Sequence, residues 1–236
     1  MKKYEFTGET KRVELWNRTA TLHRIKATVE FGFVKVGELG GWIEKEENLS
    51  HEGKAWVCGN AKVCGNAKVC GNAKVCGDAE VWGNAKVWGN AKVWGNAKVC
   101  GDAEVCGDAE VWGNAKVWGN AKVWGNAKVC GDAEVWGNAK VWGNAKVCGD
   151  AEVCGDAEVF LASHVLVMGS VGSRNDFTTF FRDKDNEITV KCGCFLGKID
   201  KFLEKVTQTH GNNKYALVYR AAVEVAKLQI ELTERK

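Results

Sequence analysis

The sequence predicts a mainly β protein: a parallel β-helix of hexapeptide repeats, with a small N-terminal β cap and a C-terminal α+β domain. Three observations carry this expectation. Eighteen hexads run from residue 52 to 159, most of them reading Val, Trp or Cys, Gly, Asn or Asp, Ala, then Lys or Glu. Within each hexad Ala and Val flank a charged residue, the two-residue alternation of a strand with one buried face. Proline is absent, which suits an uninterrupted backbone ladder.

The chain divides into an N-terminal β cap (1–48), a repeat shaft (49–171) and a C-terminal domain (172–236). In the cap, "YEFTGETKRVELW", "TLHRIKATVEF" and "FVKVGELGGWIEKEENLS" place branched and apolar residues at strand spacing, with Gly at turns. Such a unit is needed, because an open β-helix end exposes unpaired backbone and apolar interior. His23 is read as an ordinary residue of this cap.

In the shaft, Ala115 and Val117 face inward and Lys116 outward, while Gly113 supplies the positive φ of a corner. A strand this short cannot bury its face alone. Coils stacked about 4.8 Å apart bury Ala and Val in a continuous interior and pair the backbone above and below. Three hexads close a triangular coil of eighteen residues, so eighteen hexads make six coils, roughly 29 Å tall. The register extends to Leu49 at an Ala position and to Val165 and Val171 at Val positions.

Residues eighteen apart then stack. Trp94 lies under Trp112, Trp118 under Trp136, and Trp124 under Trp142 with Phe160 above. Glu80 falls between Lys62 and Lys98, and Glu104 between Lys86 and Lys122, which relieves the Lys columns. Glu134 on Glu152 is a like-charge exception that the pattern leaves without an account. Cys58, Cys64 and Cys70 occupy three different corners, roughly 15–20 Å apart, and so cannot share one zinc. Same-column pairs exist at Cys58/Cys76 and Cys130/Cys148. The chain has 11 cysteines and no apolar leader behind its basic start, so free thiols in a reducing cytoplasm are expected.

After the repeat, "DFTTFFRD", a "KDN" turn and "EITVKCGCF" predict a hairpin. Ile199, Phe202, Leu203 and Val206 mark one face of a helix that stops at Gly211. A second helix runs through Leu217, Ala221, Val225, Leu228 and Leu232, giving a ββαα unit. Tyr215 and Tyr219 share a face of it and are read as packing.

"GELGGWIEKEENLS" before the hexads, and "GSRNDFTTFF", "CGCF" and "THG" after them, resemble uncharacterised hexapeptide-repeat proteins of bacteria and their phages, whose scaffold is that of the bacterial hexapeptide-transferase superfamily. The resemblance covers nearly the whole chain. It implies a left-handed β-helix with a small C-terminal domain, and it carries no established reaction. Acyltransferases on this scaffold use a histidine base, and its carbonic anhydrases use three histidine ligands to zinc. Residues 52–163 contain no histidine, so neither chemistry has a counterpart in the shaft. No enzyme activity, cofactor or metal is expected. A transferase of the hexapeptide class is retained only as a second alternative.

Charge and composition exclude other classes. Residues 58–159 carry 11 Lys against 12 Asp plus Glu, too balanced for a nucleic-acid groove or an acidic DNA mimic. Residues 51–162 lack the Thr and Ser of ice-binding ladders, and no eighteen apolar residues run together to span a membrane. The expectation is a non-enzymatic scaffold that assembles with itself. The prism's symmetry and the resemblance favour a trimer, with Trp118, Trp124, Trp136 or Trp142 in the contact. The alternative is a binder of a small anionic ligand such as a nucleotide signal, which for a phage protein would serve anti-defence, or of a host protein. Its site would lie in the C-terminal domain. Ser173, Arg174, Asn175 and Asp176 would form an anion clamp, with Cys194 and His210 nearby. Cys194 with His210 is also the one pairing in the chain that suggests a nucleophile and base. "CxC" in a strand would point Cys192 and Cys194 to one face, where His210 could join them on zinc.

Overall fold

The computed structural model describes residues 2–15 and 18–232; Trp16, at the end of the first cap segment, lies outside them. The cap begins with an antiparallel hairpin, β1 (Tyr4–Leu15) and β2 (Arg18–Ala27), and β2 pairs with β3 (Leu39–Ile43). Eighteen two-residue strands follow, β4 to β21, from Trp56–Val57 to Glu158–Val159.

These strands stack in three parallel sheets, β3-β5-β8-β11-β14-β17-β20, β4-β7-β10-β13-β16-β19 and β6-β9-β12-β15-β18-β21. Partners are eighteen residues apart, as in Lys98↔Lys116 and Val99↔Val117. The chain is therefore a parallel β-solenoid with three hexads per turn. Backbone groups pair between coils: the Lys116 N–H donates to Ala133 O at 2.9 Å and the Trp118 N–H to Val135 O at 3.0 Å. Every hexad Ala and Val from residue 55 to 159 is no more than 1% exposed, forming one continuous core. At the corners Gly113 has φ 74°, and a Cβ there would stand 2.9 Å from Gly131 O. The corner thus needs glycine for its conformation and for the closeness of the next coil.

The Asn and Asp at the corners do more than turn the chain. The Asn66 amide donates to Asn84, and Asn84 donates to Asp102. Asn72, Asn90 and Asp108 repeat this run. Asp has no donor, so Asp102, Asp108, Asp132 and Asp156 each end a ladder that Asn begins.

The ends depart from the repeat. Leu49 bridges to Val69 rather than sitting under Ala67, and Trp42 pairs with Lys62. Both offsets are twenty residues, so the corner at 50–55 holds two residues more than its counterparts. Val165 and Val171 also leave the predicted register. They belong to β22 (Val165–Val171), the edge of an antiparallel sheet completed by β23 (Asp176–Arg182), β24 (Ile188–Cys192) and β25 (Phe195–Lys198). Two helices follow, α1 (Ile199–His210) and α2 (Lys214–Gln229). The predicted ββαα order thus becomes ββββαα. The alternation in "HVLVMGSV" suits a coil strand as well as a sheet strand, and only pairing with β23 separates the two.

Helix α1 buries Ile199, Phe202 and Val206 as expected. On α2 the predicted face is the wrong one. The helix buries Ala216, Tyr219, Ala222, Val223 and Ala226, while Leu217, Val225 and Leu228 stand exposed. Small residues let α2 lie close to its neighbours, so alanine marks the packed side and leucine the outer one. No helix among the described residues is long and apolar enough to cross a membrane.

Candidate functional site

Three places on this frame can do chemistry or recognition: the corner columns, the junction of the C-terminal unit, and a cleft beside the cap.

The corner columns carry the tryptophans. Trp94 stacks on Trp112 at 5.1 Å, Trp118 on Trp136 at 5.0 Å and Trp124 on Trp142 at 5.0 Å, all with near-parallel rings. Phe160 continues the last column above Trp142. All these residues are half-buried. The pairs exist because residues eighteen apart are separated by the rise of one coil. Lys191 of the C-terminal sheet lies 5.7 Å from the Trp136 ring, so that tryptophan also has a partner within its own chain.

Cysteine occupies the same corners, and the expectation of free thiols needs correction at four of them. Cys58 is bonded to Cys76 and Cys130 to Cys148. Column stacking brings their Cα atoms to 4.7 and 4.6 Å, within the reach of a disulfide. The other seven cysteines are free. Burial pushes Cys64 and Cys100 up to about 11 and Cys154 up to about 12, which holds them as unreactive thiols.

The C-terminal site residues are only partly gathered. A turn at Gly172–Asn175 joins β22 to β23, with Asn175 at φ 52°. Ser173 Oγ lies 3.3 Å from His210 Nε2 at the end of α1. Tyr219 and Tyr215 flank that imidazole at 5.9 and 5.8 Å between ring centroids. Gly172 gives Tyr219 its room, since a Cβ there would stand 2.0 Å from the phenol oxygen. Burial raises the Tyr219 hydroxyl above its ordinary range, and the neighbouring Cys192 adds to this. The Arg174 guanidinium lies against Gly193 in the β24–β25 turn, in space a side chain there would fill.

Two predicted members stand apart. Asp176 is exposed and accepts from the Phe177 N–H at 2.8 Å. Cys194 is exposed too, because β24 ends at Cys192 and Cys192 pairs with Phe195 across a two-residue turn. The two cysteines therefore do not share a strand face. It is Cys192 that points inward, accepting from Thr178 Oγ1 at 3.3 Å. The partner of His210 is a serine, and no carboxylate hydrogen-bonds this imidazole among the described residues to orient it as a catalytic base. Nor do three His, Cys, Asp or Glu side chains converge to hold a metal among them.

The third place was not legible in the sequence. The loop between β2 and β3 folds back on itself through a bridge between Phe31 and Val34 and overhangs the shaft. Beneath it lies a cleft of about 490 Å³. Phe31, Phe33 and Trp56 line it, with Lys54, Lys74 and Lys92 around the rim. Only the fold brings a cap loop against three successive coils.

No known family model matches this chain, and no curated protein matches it significantly.

Proposed function

We propose that this β-solenoid is a non-enzymatic scaffold that assembles with itself through its tryptophan corners. The observation behind this reading is the set of three stacked tryptophan pairs, half-exposed on a shaft whose strands point Lys and Glu outward. Each aromatic offers a large contact area, on the order of 150–250 Å², and contiguous exposed aromatics mark interfaces. Threefold prism geometry and the resemblance to hexapeptide-repeat proteins favour a trimer, with Trp118, Trp124, Trp136 and Trp142 at the contact. The shaft would then hold the cap and the C-terminal unit at a fixed spacing. Light scattering at micromolar concentration tests this. Three 25.8 kDa chains give a particle of about 77 kDa, and Trp124→Ser with Trp142→Ser lowers that mass. A 26 kDa particle, about one chain, rejects the proposal.

A second reading rests on Arg174, which forms no ion pair with Asp176, follows Ser173 in the turn and lays its guanidinium against Gly193. Here the C-terminal turn clamps a small anion, a role that needs no covalent chemistry. Loss of anion binding in Arg174→Gln, with melting unchanged, supports it.

A further inference from the structure

We infer that the cleft beneath the cap loop is a binding site for an aromatic anion, a flat ring carrying a phosphate or carboxylate a few bonds away. This goes beyond both proposals above and involves none of their residues. Its apolar wall is the Phe31–Val34 loop together with Trp56, which meets Phe31 edge-on at 5.4 Å. Phe33 is 87% exposed, an unusual place for such a ring. The loop projects it over the shaft, where Lys74 Nζ sits 4.3 Å from its centroid. A planar ligand entering the cleft would cover that face and bring its anion to the same ammonium group.

The charge is one-sided. Lys54, Lys74 and Lys92 line the cleft against one acid, Glu38. Glu38 already accepts from the Lys35 N–H at 3.0 Å. Lys92 has Glu110 as a partner at 3.1 Å, but Lys54 and Lys74 make no ion pair among the described residues. Elsewhere on the shaft, several lysines are neutralised by a Glu one coil away. A further donor is unused in the wall. Trp56 is 3% exposed and its buried indole N–H has no acceptor among the described residues, a state that buried donors rarely keep. The volume, about 490 Å³, falls within the range of small-molecule sites and suits a ligand the size of a nucleoside monophosphate.

Isothermal titration calorimetry on the full chain tests this with four probes: adenosine 5′-monophosphate, 4-hydroxybenzoate, adenosine and inorganic phosphate. Either or both of the first two bind, and which one does separates a phosphate from a carboxylate anion. Adenosine and phosphate alone bind at least tenfold more weakly, since each offers half of the recognition. Phe33→Ala and Lys74→Gln, both surface changes that should leave melting unaltered, each weaken binding tenfold or more, while Arg174→Gln leaves it unchanged. Absence of binding by both aromatic anions at millimolar concentration overturns the proposal. So does binding that survives Phe33→Ala and Lys74→Gln, or that is lost in Arg174→Gln, which would place the ligand at the other end of the molecule.

Discussion

The Nζ of Lys191 lies 2.7 Å from Oε2 of Glu152. This contact explains the one like-charge pair in the shaft that the repeat pattern left unaccounted for. Glu134 and Glu152 stack directly, but Glu134 is paired downward with Lys116 at 2.8 Å, while Glu152 is paired upward with the C-terminal sheet. The last coil continues the theme. Asp156 holds Lys184 at 2.9 Å, and the Glu158 carboxylate lies 3.9 Å from Arg182 Nη1. The final hexads, both "GDAEV", thus present acids to a basic edge of the next unit.

Reversing one charge should therefore loosen the junction. Lys191→Glu faces Glu152 and Glu134 with a third carboxylate, and it also removes the cation from Trp136. A half-exposed ion pair contributes on the order of 0.2–1 kcal/mol, and repulsion adds to its loss. Thermal melting should fall by a few degrees in Lys191→Glu and recover in the double reversal with Glu152→Lys. Additive losses in the double variant would show that the two residues do not act on each other.

Much of this molecule was legible in its sequence, and the boundary has a physical cause. The coil period, the buried Ala and Val, the stacked tryptophans and the Lys–Glu columns follow from periodicity, because each coil contacts only its neighbours. The junction and the cleft do not follow. Both depend on where a non-repeating segment lands on the shaft, which only the tertiary fold decides. The α2 face was misread for a related reason: leucine spacing marks an apolar stripe but cannot say which side is packed. Among the C-terminal candidates, Ser173 with His210 was recoverable as a cluster, whereas Cys194 was lost to a turn the "CxC" pattern could not reveal.

His164 gives the fold a pH dependence of definite sign. It is fully buried at the top of the shaft, accepting from the Phe160 N–H at 3.4 Å, with the Phe160 ring edge-on at 4.2 Å. Burial, helped by the charge of Arg182, lowers it to about 4. Between its ordinary value of about 6.5 and about 4 the unfolded chain takes up a proton that the folded chain refuses. Stability should thus fall as pH drops through that window, by up to about 3 kcal/mol, and this contribution should level off below it. Urea unfolding of the wild type and His164→Phe across pH 4–7 isolates the effect as the difference between two slopes. Parallel slopes would remove His164 as its source.

The two disulfides predict a distinctive alkylation pattern. Denatured without reductant, the chain should take up iodoacetamide at its seven free cysteines, and after reduction at all 11. Each bond closes a segment of eighteen residues, for which loop-closure entropy gives a stabilisation of about 3 kcal/mol. Cys130→Ser should lower the urea midpoint accordingly. Full alkylation before reduction would show that the stacked columns hold thiols.

Deleting a whole coil or a third of one should leave a folded protein, but with different geometry. Removal of residues 94–111 joins Val93 to Trp112 in register, so Val, Ala and Gly columns re-form and both disulfides stay intact. The cost is local: Lys86 loses Glu104 and meets Lys122, and Lys92 loses Glu110 and meets Lys128, two like-charge contacts of less than about 1 kcal/mol each. Removal of residues 94–99 keeps every later hexad well formed but moves it one side around the prism. Cys130 and Cys148 still stack and Trp88 takes the place of Trp94 under Trp112, yet the C-terminal unit is rotated relative to the cap. Both variants should melt cooperatively, because the core is uniform along its length. They should agree in assembly: Trp118, Trp124, Trp136 and Trp142 lie beyond both cuts and keep their stacking, so under the proposed contact both deletions keep the wild-type number of chains per particle. Loss of assembly in the six-residue deletion alone would mean that the contact depends on how the cap and the C-terminal unit are set around the shaft rather than on these corners.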